Sequence, residues 1–137
     1  MSDESRLFPV NLVWNGGKSG SLAVEGKAII KTGEAGYHSP EDLFVASATT
    51  CYMNGFVNFT EKMHINFKSF ECDSVGVLEK VDRSFEITKI EMKAKVVVES
   101  EDLRKKIDRA LELAAKYCFV GNSMKCPISH DTEIVVE

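Results

Sequence analysis

The sequence predicts an α+β protein in a single domain covering residues 1–137, and three observations carry that expectation. Short alternating segments punctuated by glycine fill the first forty residues. Two long apolar-polar alternations follow in the middle of the chain, and two helix-length segments of different character are interleaved with them. A chain of 137 residues has the usual size of one domain with one core.

The stretch VNLVWNGGKSGSLAVEGKAIIKTGEAG reads as a three-strand meander turning at Gly16-Gly17, Gly20 and Gly26, with Trp14 capping a core edge or lining a pocket, most simply a core residue. A helix is predicted over 39–59. Ser39 suits its N-cap, Pro40 its first position, and Glu41 and Asp42 the positive end of its dipole. Leu43, Phe44, Val45, Ala48, Cys51, Met53, Phe56 and Phe59 surround the helix axis rather than forming one stripe. A helix apolar on all sides is buried, either by its own domain or by a partner chain. A domain this small struggles to wrap a whole helix, which points to a homodimer.

Residues 65–79 and 84–98 read as two antiparallel strands turning around Val81-Asp82-Arg83. Ile90, Met92, Ala94, Val96 and Val98 alternate with lysines and glutamate, so the sheet has one wet face. A second helix begins after Ser100. It carries Leu103, Ile107, Ala110, Leu111, Ala114 and Cys118 on one face and is expected to break at Gly121 and Asn122. The segment TEIVVE closes the chain as a strand.

A formal net charge of -4 argues against a nucleic-acid or anionic-membrane surface. No apolar run reaches the roughly 20 residues that span a bilayer. The N-terminus lacks a basic head followed by a long apolar run, so a cytoplasmic protein without a secretory signal is expected. Cys51, Cys72, Cys118 and Cys126 then read as packing, metal-binding or redox groups rather than structural disulfides. On residue type and setting alone Cys51, Cys72 and Cys118 are packing residues and Cys126 is a loop residue. The spacing Cys118-x7-Cys126-x3-His130 lacks the compact CxxC half of a zinc site, and no metal is expected.

Two segments nevertheless carry a resemblance. SPEDLFVASATTCY resembles the Pro-Glu-x-Leu-(six residues)-Cys helix of the osmotically inducible protein C (OsmC) and organic hydroperoxide resistance (Ohr) family. YCFVGNSMK is similar to that family's helix-ending Cys-Pro-Val-Ser-Asn-x-Leu segment. The loop GGKSG is a weaker match, with Lys18 where peroxidase members carry arginine. The resemblance covers nearly the whole chain in element order.

It implies an OsmC-like fold in an intertwined homodimer. It also implies a thiol peroxidase that reduces organic hydroperoxides in oxidative-stress defence, without haem, flavin or metal, and is recycled by an external thiol or dithiol. By the same resemblance Cys51 is peroxidatic, Cys118 resolving, Lys18 the cation and Glu41 the group that orients the cation. The alternative is a non-enzymatic member that binds a small hydrophobic ligand or thiol.

The departures are specific. Lysine offers a point charge where arginine offers a planar fork, and Arg6 is a second candidate cation. Cys118 lacks the family's following proline and serine, whereas Cys126-Pro127-Ile128-Ser129 has both, so Cys126 is the alternative resolving residue. Ten residues separate Glu41 from Cys51, about 15 Å along a straight helix. A bridging cation, a distorted helix or a partner chain must close that gap.

Overall fold

The computed structural model describes residues 5–137, and backbone contacts divide the chain into two units, residues 1–43 and 44–137. In the first unit, β1 (Asn11–Trp14), β2 (Gly20–Ala23) and β3 (Ile30–Thr32) form the expected antiparallel meander in the order β1-β2-β3. Gly16 and Gly17, at φ 104° and 56°, supply the left-handed backbone of the first turn. The Trp14 indole donates to Gly17 O at 2.8 Å, so its polar edge ties down that turn. Trp14 is 73% exposed and therefore not a core residue of this chain, contrary to expectation. Leu12 and Val13, beside it in sequence, and Ile29 before β3 are exposed too, which leaves these residues of the meander without an apolar cover within their own unit.

One glycine of this unit is required by its surroundings. Gly33 has φ 95°, and a Cβ there would lie 2.0 Å from the Lys18 carbonyl oxygen. The backbone of the Lys18 loop is thus seated directly on Gly33.

Helix α1 (Pro40–Lys62) starts as the sequence predicts and runs three residues longer. Ser39 Oγ accepts from Asp42 N at 3.0 Å, and Asp42 Oδ2 accepts from Ser39 N at 3.1 Å, a reciprocal cap. The helix ends where His64 takes φ 55°. His64 N donates to Glu61 O and Ile65 N to Thr60 O, which satisfies two terminal carbonyls in a Schellman pattern.

In the second unit β4 (Ser69–Val81) and β5 (Ser84–Val98) pair antiparallel around Asp82-Arg83, with Asp82 at φ 55°. β4 begins four residues later than the alternation suggests, because residues 63–68 are spent on the helix end and the turn into the sheet. Ser100 Oγ accepts from Asp102 N and opens a 3-10 turn (Glu101–Leu103), which leads into α2 (Arg104–Lys116). β6 (Ile128–Val136) joins β5 in parallel, so the sheet β4-β5-β6 is mixed. A parallel neighbour needs a crossover, and α2 is that crossover.

The core sits in this unit. Ile90, Met92, Ala94, Val96 and Val98 of β5 are buried along one face. Above them lie Ala48, Tyr52 and Phe56 of α1, spaced four apart, and Ile107, Ala110, Leu111 and Ala114 of α2; Thr60 continues the buried row on α1. Phe56 stacks on Phe70 at 5.2 Å and tilts against Phe67 at 4.9 Å between ring centroids. Val45 and Phe59 pack partly buried at the flanks of that stripe, whereas Phe44 and Met53 are exposed, so the chain covers only part of a helix that is apolar nearly all round.

Helices α1 and α2 approach closely at Gly55, where an added Cβ would lie 3.3 Å from Ala114 Cα and 3.4 Å from its Cβ. Gly55→Leu is therefore expected to destabilise the fold by about 1–3 kcal/mol through overpacking. Urea unfolding checks this, with the midpoint falling at an unchanged slope.

Candidate functional site

Cys51 lies near the middle of α1, one residue before Tyr52 and three after Ala48, at the edge of the buried stripe. It is half-buried. Cys118 is buried and does not end α2, as the sequence suggests. The helix stops at Tyr117, and Cys118, at φ -73° and ψ 103°, leaves it in extended conformation and caps a further helix, α3 (Phe119–Asn122). Gly121 and Asn122 are therefore inside a helix rather than breaking one. The reason is the cap itself: Cys118 Sγ accepts from Gly121 N at 3.4 Å and restarts the helix after the break.

The Cys118 thiol also points to α1, donating to Ala48 O at 3.9 Å. This places it next to Cys51, one turn further along. Burial pushes the Cys118 thiol above its ordinary pKa. The Gly121 N–H opposes that shift, and interaction with the Cys51 thiol adds to it. The two cysteines singled out in the sequence are thus neighbours in space, although 67 positions apart in the chain.

Lys18 and Glu41 belong to the N-terminal unit. Lys18 is exposed in the loop seated on Gly33, and Glu41 is exposed in the first turn of α1. Helix α1 is continuous from Pro40 to Lys62, so no distortion shortens the helical path between Glu41 and Cys51.

On its other side Cys118 faces a cavity of about 340 Å³, lined also by Met92, Asn122, Met124, Cys126 and His130. Cys126 is 8% exposed. Cys118, Cys126 and His130 share this wall, yet no three His, Cys, Asp or Glu side chains among the described residues form a group that could hold a metal ion.

Sequence reading did not anticipate the partners of two polar side chains on α1, Tyr52 and Thr49. Tyr52 is 1% exposed, and its hydroxyl has no partner among the described residues. Its ring lies 4.8 Å from that of His130, whose imidazole is lowered below its usual pKa by desolvation. Thr49 Oγ1 bonds Val45 O at 2.9 Å and Ser74 Oγ at 2.7 Å, and Ser74 in turn meets Cys72 Sγ at 3.7 Å. Thr49 and Tyr52 sit in the quoted helix motif, but only the long-range pairing of β4 with α1 reveals their neighbours.

The chain belongs to the OsmC-like protein family, whose model matches residues 33–133. No curated protein matches it. Among solved structures, an OsmC-like protein from Vibrio cholerae has a TM-score of 0.82 at 20% identity, with 96% of this chain and 100% of that one covered. An organic hydroperoxide resistance protein from Legionella pneumophila has a TM-score of 0.71 at 16% identity, covering 96% and 100%. One from Bacillus subtilis has a TM-score of 0.66 at 18% identity, covering 94% and 99%. These likenesses establish the OsmC-like fold. No helix among the described residues is long and apolar enough to cross a membrane.

The thiol environment has a pH signature. In Cys51→Ala the pH midpoint for alkylation of Cys118 is expected to fall, because a neighbour that disfavours its thiolate is gone. It should stay above that of an exposed thiol, since burial is the larger cause. Alkylation rates of the Cys118 peptide across pH measure this. An unchanged midpoint would mean that the two thiols do not interact.

Proposed function

We propose that this protein is a cytoplasmic thiol peroxidase that reduces organic hydroperoxides with Cys51 and Cys118, in defence against oxidative stress. The observation that carries the reading is the juxtaposition of Cys51 on α1 with the buried Cys118 at the start of α3. The Cys51 thiolate attacks the terminal peroxide oxygen. The O–O bond breaks, and the alkoxide leaves and is protonated to the alcohol, so Cys51 becomes a sulfenic acid. Cys118 then attacks that sulfur, water leaves and a disulfide forms. An external dithiol reduces the disulfide by two exchange steps.

Roles divide between the thiols by environment. Cys118 is held as the neutral thiol near neutral pH and is shielded from solvent, while Cys51 is the more accessible of the two. Lys18 serves as the cation that stabilises the Cys51 thiolate, and Glu41 orients Lys18. No haem, flavin or metal takes part. Four free cysteines suit a reducing compartment.

A second copy of the chain completes the single OsmC-like domain in this reading. The uncovered face of α1 and the exposed apolar residues Leu12, Val13 and Trp14 of the meander support a homodimer. Static light scattering is expected to give twice the chain mass at micromolar concentration. A monomer of unchanged helix content would overturn this.

Steady-state consumption of an alkyl or aryl hydroperoxide with a dithiol reductant tests the chemistry. Cys51→Ser should abolish it. Cys118→Ser should keep the first oxidation but leave a sulfenic acid prone to overoxidation. Lys18→Met should slow the first turnover, and Lys18→Arg should preserve it. No consumption by the native chain would favour the ligand-binding reading instead.

A further inference from the structure

The Cys51–Cys118 chemistry leaves one buried thiol unused. Cys126 precedes β6 and lines the same 340 Å³ cavity as Cys118, whereas Cys51 does not line it. Cys118 therefore has two sides, one toward Ala48 O and Cys51 on α1, the other toward the cavity and Cys126. The segment between Cys118 and Cys126 is short: the four residues of α3 and the turn Ser123-Met124-Lys125. Its one helical turn is too short to be cooperative and is held at its start by the Cys118 sulfur itself.

We propose that Cys126 is a third redox thiol, which takes over the disulfide from Cys51 and delivers it to the cavity, where an external dithiol reduces it. This inference rests on the peroxidase reading for its oxidised starting state.

The step is an exchange with no net redox change. The Cys126 thiol loses its proton to water in the open cavity, and its thiolate attacks Cys118 Sγ of the Cys51–Cys118 disulfide. The Cys51–Cys118 bond breaks, its electron pair leaves on Cys51, and Cys51 is reprotonated. A Cys118–Cys126 disulfide and a free Cys51 thiol result. The bond requires the two Cα atoms to come to about 5.5 Å, a movement taken up by residues 119–125. The cavity then separates the two substrates: hydroperoxide meets Cys51 on α1, and the dithiol meets the disulfide between Cys118 and Cys126. Its lining by Met92, Met124 and Ile128, with Asn122 and His130 as polar groups, suits a small dithiol with an apolar body.

The experiment is a pulse of one equivalent of tert-butyl hydroperoxide or, in a parallel arm, of diamide, on the full chain without reductant. Acid quenching, alkylation and peptide mass spectrometry follow over time. The expected course is an early Cys51–Cys118 disulfide that gives way to Cys118–Cys126 with Cys51 again alkylatable. Cys126→Ala should hold the Cys51–Cys118 disulfide. The native chain, but not Cys126→Ala, should then consume a second equivalent of hydroperoxide before any reductant is added.

A persistent Cys51–Cys118 disulfide with Cys126 fully alkylated in the native chain overturns the relay, and needs no variant to read. Formation of Cys118–Cys126 at the native rate in Cys51→Ser overturns it too, since the pair would then oxidise directly. Exchange under diamide with no response to hydroperoxide supports the relay while the peroxidase reading fails.

Discussion

The seating of one stripe of α1 on the β5 face governs the arrangement of the second unit. Ala48, Tyr52 and Phe56 fall four apart and bury together with Ile90, Met92, Ala94, Val96 and Val98, and Thr60 extends the buried row on the helix. Burial of Phe56 alone is worth about 1.5–3 kcal/mol, and the stripe fixes the rotation of the helix about its axis. Once that rotation is fixed, Cys51 has no choice of direction. It falls at the flank of the stripe, beside the point where α2 ends and Cys118 turns toward Ala48 O. The close approach of Gly55 to Ala114 sets how near α2 can come, and with it the reach of Cys118.

The element order and most boundaries were legible in the sequence because local signals agreed with tertiary need. Ser39, Pro40 and Asp42 mark a helix start by capping chemistry that operates within one turn. The alternation over 84–98 survives in the structure as strict burial of every second residue from Ile90 to Val98. Local signals failed where long-range contacts decide. Trp14 looks like core by residue type, yet its indole is spent on the Gly17 carbonyl and its ring is open. Gly121 looks like a breaker, yet the sulfur of Cys118 supplies a cap that no propensity scale anticipates.

The site was legible in the same graded way. The resemblance singled out Cys51 and Cys118, and the fold brings them together across 67 positions of sequence. Nothing local could reveal Tyr52 with its buried hydroxyl, the Thr49–Ser74–Cys72 chain, or the cavity behind Cys118. Each depends on strands and helices far apart in the chain arriving at one place. Lys18 illustrates the intermediate case. A glycine-rich loop is visible in sequence, but its seat on Gly33 is a requirement of space rather than of pattern.

The outer face of the β4-β5-β6 sheet has its own logic. Lys95 stands between Glu71 and Glu133, and Lys93 between Asp73 and Asp131, in register across the three strands. Each lysine charge is flanked by two carboxylates, so each of these two rows carries one negative charge beyond what its lysine compensates. A second sheet laid on this face would have to strip water from six charged groups, at several kcal/mol for each ion left without full compensation. Face-to-face stacking is thereby closed to this sheet, whatever the protein's concentration. The charge rows thus weigh against one class of encounter, sheet upon sheet, and leave the apolar surfaces elsewhere on the chain unaffected.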